Sequence, residues 1–444
     1  MFNSWLESLF RLSENQTSFR TEVLAGTTTF VTLAYIIFVQ PAVLSAAGMD
    51  FGAVFVATCI SSGIATLMMA AFANYPIAVA PAMGHNFYFA FTVVIATGLA
   101  WEVALGCVAI AGLLFIVTAG IGLRERLITA IPDSLKHAIA VGIGMLIAMI
   151  GLQWAGIIVD AEGMLITLGD LRTMPVIVAT IGFALTAILL VRGVNGALLI
   201  GILVSSGLAW LTGLTEFQGI MSRPPSLAPT FLKFDILNAL QPNMVTVILT
   251  FFFLALFDSV GTLVGVAEQA GLMRNGTLPR ARGALLADAV GTVVGAGLGT
   301  STVTAYIESA TGVSVGGRTG LANVVTAILF FLALFISPLV SMIGGGYETT
   351  DGTRLYPVVA PALIIVGTMM VGSMRFIAWD DSTEAIPAFL TMIIMPLTVS
   401  ITEGIAFGFL AYAMLKVSTG RTNEANWLVY LCAVLFLIRY IILV

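Results

Sequence analysis

Two carboxylates and one imidazole stand in stretches that are otherwise apolar. Asp258 lies inside TFFFLALFDSVGTLVG (250–265), and Glu308 and Ser309 close GTSTVTAYIES (299–309). His85, Asn86 and Phe87 follow one another in VAPAMGHNFYF (79–89). An acid withdrawn from water can hold a proton at neutral pH. A carboxylate, an amide and a serine hydroxyl together can take the N–H and C=O groups of a polar guest, with an aromatic such as Phe87, Phe257 or Tyr35 against its face. The chemistry on offer is hydrogen bonding to a small molecule, with proton carriage on Asp258 or Glu308. Covalent or metal chemistry has little to work with. There are two histidines, no His-Glu-x-x-His, and three scattered cysteines, Cys59, Cys107 and Cys432, in apolar runs, where thiols act as small hydrophobes.

The surroundings of these residues are those of a membrane protein. Of 444 residues, 59% are apolar and 9% charged, against about 45–50% and about 25% in soluble domains. So few charges cannot keep a surface of this size wet, which excludes a soluble enzyme. The net charge of −5 comes with no basic stripe, which excludes nucleic acid as a partner. An all-α polytopic protein of the lipid bilayer remains. There, an ionisable group at mid-depth is costly and marks function. Asp288 reads as a weaker candidate that bonds a neighbouring helix, and Glu102, Glu268 and Glu403 as solvated or snorkelling groups near span ends.

Apolar runs of spanning length lie near 23–47, 51–73, 101–121, 138–155, 174–190, 196–213, 244–270, 283–298, 320–342 and 356–374. Segments 76–97 and 300–318 are apolar but broken by Gly, Pro and polar residues. The run 386–416 holds Pro387, Pro396, Glu403 and Gly404. It is too long for one helix and reads as two meeting near Ser400. This gives 14 spans, which the basic residues support, because Lys and Arg collect on the cytoplasmic side. With the N-terminus inside, Arg124, Arg126 and Lys136 follow span 4, Arg192 span 6, Arg274, Arg280 and Arg282 span 8, Arg318 span 10, and Arg375 span 12. Splitting 386–416 puts Lys416 and Arg421 inside as well. Residues 427–443 become an extra interfacial or peripheral helix. The opening stretch (Trp5, Leu6, Leu9, Phe10 and Leu12 among Glu7, Arg11 and Glu14) reads as an amphipathic helix on the membrane surface.

The halves resemble each other. LSAAGM (44–49) superposes on the stretch within VAEQAGLM (266–273) at an offset of 223 residues. The same offset takes His85 to Glu308, Asn86 to Ser309 and Gly144 to Gly367. Seven spans per half is an odd number, so the second copy is inverted, as in secondary transporters. The broken segments are span 3 of each half. Each has a short extended stretch and then a restarting helix, whose N–H groups and positive dipole end point at mid-membrane. Irregular backbone at that depth must be buried or line a cavity.

Five stretches carry a resemblance to a known family: RTEVLAGTTTFVTLAYIIFVQP (20–41), APAMGHNFYFAFTVV (80–94), FDSVGTLVG (257–265), LLADAVGTVVGAGLGTSTVTAYIESATGVSVGGRTGL (285–321) and IPAFLTMIIMPLTVSITEGIAFG (386–408). The chain resembles the NCS2 nucleobase–cation symporters, in their AzgA-like purine permease branch, over nearly its whole length. The resemblance implies a UraA-like fold, a 7+7 inverted repeat of 14 transmembrane segments with extended stretches in segments 3 and 10. After the N-terminal amphipathic segment (1–22), it implies a core domain (23–122 and 244–343; spans 1–4 and 8–11) and a gate domain (123–215 and 344–417; spans 5–7 and 12–14). An extracytoplasmic loop (216–243) and a C-terminal apolar helix (418–444) complete the layout. It further implies a homodimer paired through the gate, in the cell inner (plasma) membrane.

In this family the span 3 asparagine, span 8 aspartate and span 10 glutamate are associated with purine binding and transport; these map to Asn86, Asp258 and Glu308. The substrate would be a purine nucleobase (hypoxanthine, guanine or adenine), imported by symport with a proton as coupling ion and with no cofactor or metal. The family pattern usually reads PGMG and then an aliphatic residue, where this chain has PAMG and His85, and Phe87 stands where a small residue is more usual. An anion transporter or exchanger of the sulfate or bicarbonate kind is the alternative on the same architecture.

Overall fold

The computed structural model describes residues 7–121, 132–161, 164–273, 278–349 and 352–442. Nine helices among them are long and apolar enough to cross a membrane, and shorter apolar helices accompany them. Span 1 is Phe19–Ala46, span 2 Phe51–Ala73, span 4 Trp101–Ile121, span 5 Asp133–Trp154, span 6 Met174–Val191 and span 7 Ala197–Leu211. In the second half, span 8 is Val245–Gln269, span 9 Ala281–Leu298, span 11 Gly320–Gly344, span 12 Ala360–Phe376, span 13 Ser382–Thr398 and span 14 Ile401–Ser418. Spans 3 and 10 are the broken ones. Span 3 is β1 (Val79–Pro81), then Met83–Phe87, then a π-helical run Tyr88–Ile95. Between spans 5 and 6 lies a hairpin of β2 (Ile158–Ala161) and β3 (Met164–Leu168). Span 10 is β4 (Val303–Ala305) followed by Ser309–Ser314. A small hairpin, β5 (Tyr347–Glu348) with β6 (Arg354–Leu355), joins spans 11 and 12.

Local chemistry explains the boundaries. Asp50 caps span 2 by accepting the Ala53 N–H at 2.7 Å, and Asn74 ends it in a left-handed conformation with φ 51. The run 386–416 does split: Val399 takes φ 50, and the Ser400 hydroxyl caps span 14 by accepting from Glu403 N. The sequence reads span 1 as one continuous run. It is broken at Ala34 and Tyr35, between helices Phe19–Leu33 and Ile36–Ala46. Thr32 Oγ1 bonds back to the carbonyls of Thr28 and Thr29, both at 2.9 Å, a habit of threonine that loosens helices.

Packing sorts the spans into two sets of contacts. Span 2 lies against spans 9 and 11, span 1 against span 11, and span 4 against span 9. Span 5 lies against spans 12 and 13, and span 13 against span 14. Gly144 of span 5 and Gly367 of span 12 meet, and a Cβ on Gly367 would stand 2.4 Å from the Gly144 carbonyl oxygen. These are the two glycines that the 223-residue offset relates.

Two terminal segments depart from the sequence reading. Phe10 and Leu12 are buried against Leu321, and the Asn74 amide donates to the Phe10 carbonyl. This part of the N-terminal stretch is docked on protein because its apolar side finds span 11; Trp5 and Leu6 lie outside the described residues, as do Arg124, Arg126 and Arg274. The last helix, Trp427–Ile442, runs antiparallel along span 14, with Phe436 on Phe409 and Tyr440 on Phe407. Arg439 donates to Glu403 at 2.7 Å and Tyr440 donates to the same carboxylate. Glu403 is therefore paired beside span 14, where the sequence suggests a solvated group.

Candidate functional site

Strands β1 and β4, more than 200 residues apart, pair antiparallel as Val79↔Ala305, Ala80↔Thr304 and Pro81↔Val303. Two further backbone bonds extend the ladder, Ala82 N to Thr302 O and Tyr306 N to Ala78 O, both at 2.9 Å. All six strand residues are buried, so each N–H and C=O facing away from the ladder needs a partner. Threonines of the neighbouring spans supply them. Thr66 of span 2 accepts from Val79 N and donates to Val79 O, both at 3.0 Å. Thr292 of span 9 does the same for Val303, at 3.3 and 2.9 Å. Asp288 accepts from Ala305 N at 3.4 Å, so its partner is the strand β4 and not the neighbouring helix that the sequence suggests.

The restarting helix of span 10 brings Glu308 to this crossing, and the continuous span 8 brings Asp258. Tyr35, freed by the break in span 1, donates to Glu308 Oε1 at 2.7 Å. Thr304 donates to Asp258 Oδ2 at 3.0 Å, and His85 Nδ1 stands 3.9 Å from the same oxygen. Tyr35, His85, Asp258 and Glu308 line one cavity of about 510 Å³, within the range of about 300–1,000 Å³ usual for ligand sites. Ile139 and Ile143 of span 5 and Val366 and Met370 of span 12 also line it. The cavity thus has apolar walls and a few convergent polar groups.

The other expected residues lie behind the wall. Asn86 is fully buried and accepts from the Ser301 hydroxyl, which Gln40 also reaches at 3.2 Å. Ser309 accepts from Ala78 N at 2.9 Å. These two are the same contact made twice, because the 223-residue offset carries Asn86 to Ser309 and Ala78 to Ser301. Phe87 is buried and stacks on Phe91 with centroids 5.5 Å apart, so its ring is spent inside span 3. The Phe257 side chain lies outside what the structure describes. Sequence reasoning passed over Glu22, which is buried and accepts from Arg318 N at 2.8 Å, Thr319 N at 3.3 Å and Ala322 N at 3.2 Å. Arg20 two residues before it, and an apolar run that begins only at residue 23, left no signal that it is buried. Among the described residues, no group of three or more His, Cys, Asp or Glu could hold a metal ion.

Two broken segments crossing inside an inverted repeat, with acids around a cavity, define a membrane permease. Comparison with known proteins agrees. The pattern of the Permease family matches residues 20–407. The chain is 44% identical over 443 residues to the guanine/hypoxanthine permease PbuO of Bacillus subtilis (strain 168), covering 98% of this chain and 100% of that one. It is 43% identical over 437 residues to the adenine permease AdeP of Escherichia coli (strain K12), covering 98% and 96%. The transmembrane domain of the cyanobacterium bicarbonate transporter BicA superposes with a TM-score of 0.60 at 15% identity, over 87% of this chain and 96% of that one. Murine solute carrier 26 family member A9, an anion transporter in its inward-facing state, gives 0.63 at 11% identity over 90% and 68%; these two share the fold. The chain belongs to the NCS2 permease family, in its AzgA-like purine permease branch. It is a transporter and not an enzyme.

Proposed function

We propose that the protein imports purine nucleobases by proton symport. The observation that carries this reading is the cavity at the crossing, where Asp258 and Glu308 converge with Tyr35 and His85. A purine is flat, uncharged and rich in N–H donors. Carboxylates accept such donors, and apolar walls suit the ring faces. The named substrates of the relatives, guanine, hypoxanthine and adenine, are all of this kind. Asn86 and Ser309 serve the guest indirectly, by fixing where the two restarting helices begin.

Spans 1–4 and 8–11 form a core and spans 5–7 and 12–14 a gate, and the cavity lies between them. Movement of one against the other alternates access. Basic residues orient the chain with its N-terminus in the cytoplasm of an inner (plasma) membrane. The cavity reaches Asp133, Lys136 and His137 at the start of span 5, so this state opens to the cytoplasm. Pairing of two copies through the gate follows from the family resemblance.

Uptake into proteoliposomes tests the reading. Labelled hypoxanthine is expected to accumulate under an inward proton gradient and to be displaced by guanine or adenine but not by uracil or sulfate. Accumulation that follows sodium and ignores pH would overturn the coupling; competition by sulfate alone would overturn the cargo. The anion reading has the solved neighbours on its side, but two carboxylates in the cavity oppose an anion.

A further inference from the structure

A second cavity, of about 890 Å³, opens where spans 2 and 8 end and span 9 begins. It shares no lining residue with the cavity at the crossing, and the basic residues put it on the cytoplasmic face. Asn74, the left-handed residue that ends span 2, ties its surroundings together. The Asn74 amide donates to the Phe10 carbonyl at 2.9 Å, and its side-chain oxygen accepts from Gly320 N at 2.7 Å. The N-terminal stretch thereby becomes one wall and brings Arg11, while Arg280 before span 9 and Arg318 before span 11 line the cavity from the other segments. Charge here is unbalanced, because Glu14 is the one acid in the lining. It stands 3.6 Å from Arg11 in an exposed pair, which is worth little. Arg280 lies over the Tyr75 ring, 5.1 Å from its centroid. Arg318 Nη1 donates to the Val313 and Gly317 carbonyls at 2.8 and 2.7 Å. Among the described residues no carboxylate pairs with either of these two guanidinium groups. The same cavity has an apolar edge, made by Leu9 and Phe72, which are 54% and 48% exposed.

We propose that this cavity is a binding site for a phosphate ester, and that its occupant is the headgroup of an anionic phospholipid from the cytoplasmic leaflet. Guanidinium groups suit the task because their planar fork of N–H donors matches phosphate oxygens and they are weakly hydrated. Arg11, Arg280 and Arg318 take the phosphate, and the Tyr75 ring face steadies the Arg280 guanidinium. Leu9 and Phe72 take the first part of an acyl chain. The apolar edge decides between the two sources of a phosphate ester. A soluble phosphate compound uses the charged pole alone and leaves Leu9 and Phe72 in water, whereas a lipid covers both. Basic pockets between spans on the cytoplasmic side are suited to such headgroups. Bound there, the lipid bridges the N-terminal stretch to the start of span 9, two segments that the chain itself joins only through Asn74 and its neighbours.

The test uses the full-length protein in a neutral detergent, titrated separately with dioctanoyl phosphatidylglycerol, dioctanoyl phosphatidylcholine and inorganic phosphate. Binding is read by native mass spectrometry and by the thermal midpoint. Phosphatidylglycerol is expected to bind and to raise the midpoint, and phosphatidylcholine to do so far more weakly. Arg280→Gln is expected to weaken phosphatidylglycerol binding about fivefold, and Arg11→Gln with Arg280→Gln about twenty-fivefold, at the usual contribution of one basic residue near an anionic headgroup. Both variants are expected to keep the lipid-free midpoint, so the lost shift reports the site and not the fold. Arg375→Gln, which removes an arginine of the same face outside the cavity, is expected to bind as the unmodified protein does. Equal affinity of Arg280→Gln and the unmodified protein for phosphatidylglycerol, or equal binding of the two lipids, overturns the site. Inorganic phosphate that raises the midpoint as far as phosphatidylglycerol does overturns the lipid as its occupant.

Discussion

The halves of this protein cross twice on the same pseudo-two-fold axis, and the two crossings are built by opposite means. Where span 3 meets span 10, the backbone is broken and paired as β1 on β4, with Thr66 and Thr292 satisfying what the ladder leaves open. Where span 5 meets span 12, both helices are intact and touch through Gly144 and Gly367. The first crossing is directional, since hydrogen bonds fix register and aim the restarting helices at the cavity. The second is steric and smooth, since small residues let helices approach closely without specifying a bond. The first holds the geometry of the site, and the second packs the two halves of the gate closely against each other.

Three experiments sharpen that contrast. The largest effect is expected at the smooth crossing. Gly367→Val places a branched side chain against the Gly144 backbone, which cannot swing aside, so hypoxanthine uptake should fall more than tenfold and the thermal midpoint in detergent should drop. An overpacked contact of this kind costs about 1–3 kcal/mol. At the directional crossing, Thr292→Val keeps the shape and strands the Val303 N–H and C=O. Weaker hypoxanthine binding by roughly five- to tenfold is expected from one or two lost bonds. Thr66→Val should match it if the ladder is symmetric; a large difference between them would break the comparison.

The smallest effect is expected away from both crossings, in the cluster joining spans 13 and 14 to the last helix. Arg421 and then Lys416 hold the Glu424 carboxyl down at about 2. Its folded value lies below the unfolded one of about 4.3, so the contribution to stability is present above that value and is lost as pH falls through about 2. Glu424→Gln should lower the thermal midpoint slightly at pH 7, by an amount that shrinks below pH 4. Exposed pairs are weak, and uptake should keep its pH profile.

Much of this was legible in the chain. The split at Ser400 was readable because Pro396 and the length of 386–416 rule out one helix, and the broken spans because Pro81, Gly84 and Gly299 interrupt apolar runs. Asp258 and Glu308 stood out because charge at mid-membrane is costly. Asn86, Ser309 and Phe87 were visible as polar or aromatic residues at the breaks, but nothing local says that all three turn away from the cavity. Their orientation follows from the rotation of each restarting helix about its axis, which Ser301 and Ala78 fix from the opposite half. The break in span 1 was hidden because Ala34 and Tyr35 carry no helix-breaking signal.

The sequence by itself determined the solvent of this protein, the number of its crossings and the places where its backbone yields. Each depends on the transfer energy or conformational limits of residues near one another along the chain. The tertiary structure alone decided which acid is closed onto a tyrosine and which stands open before a histidine. Those partners lie 273 and 173 residues apart, and only the crossing of two inverted halves brings them within reach.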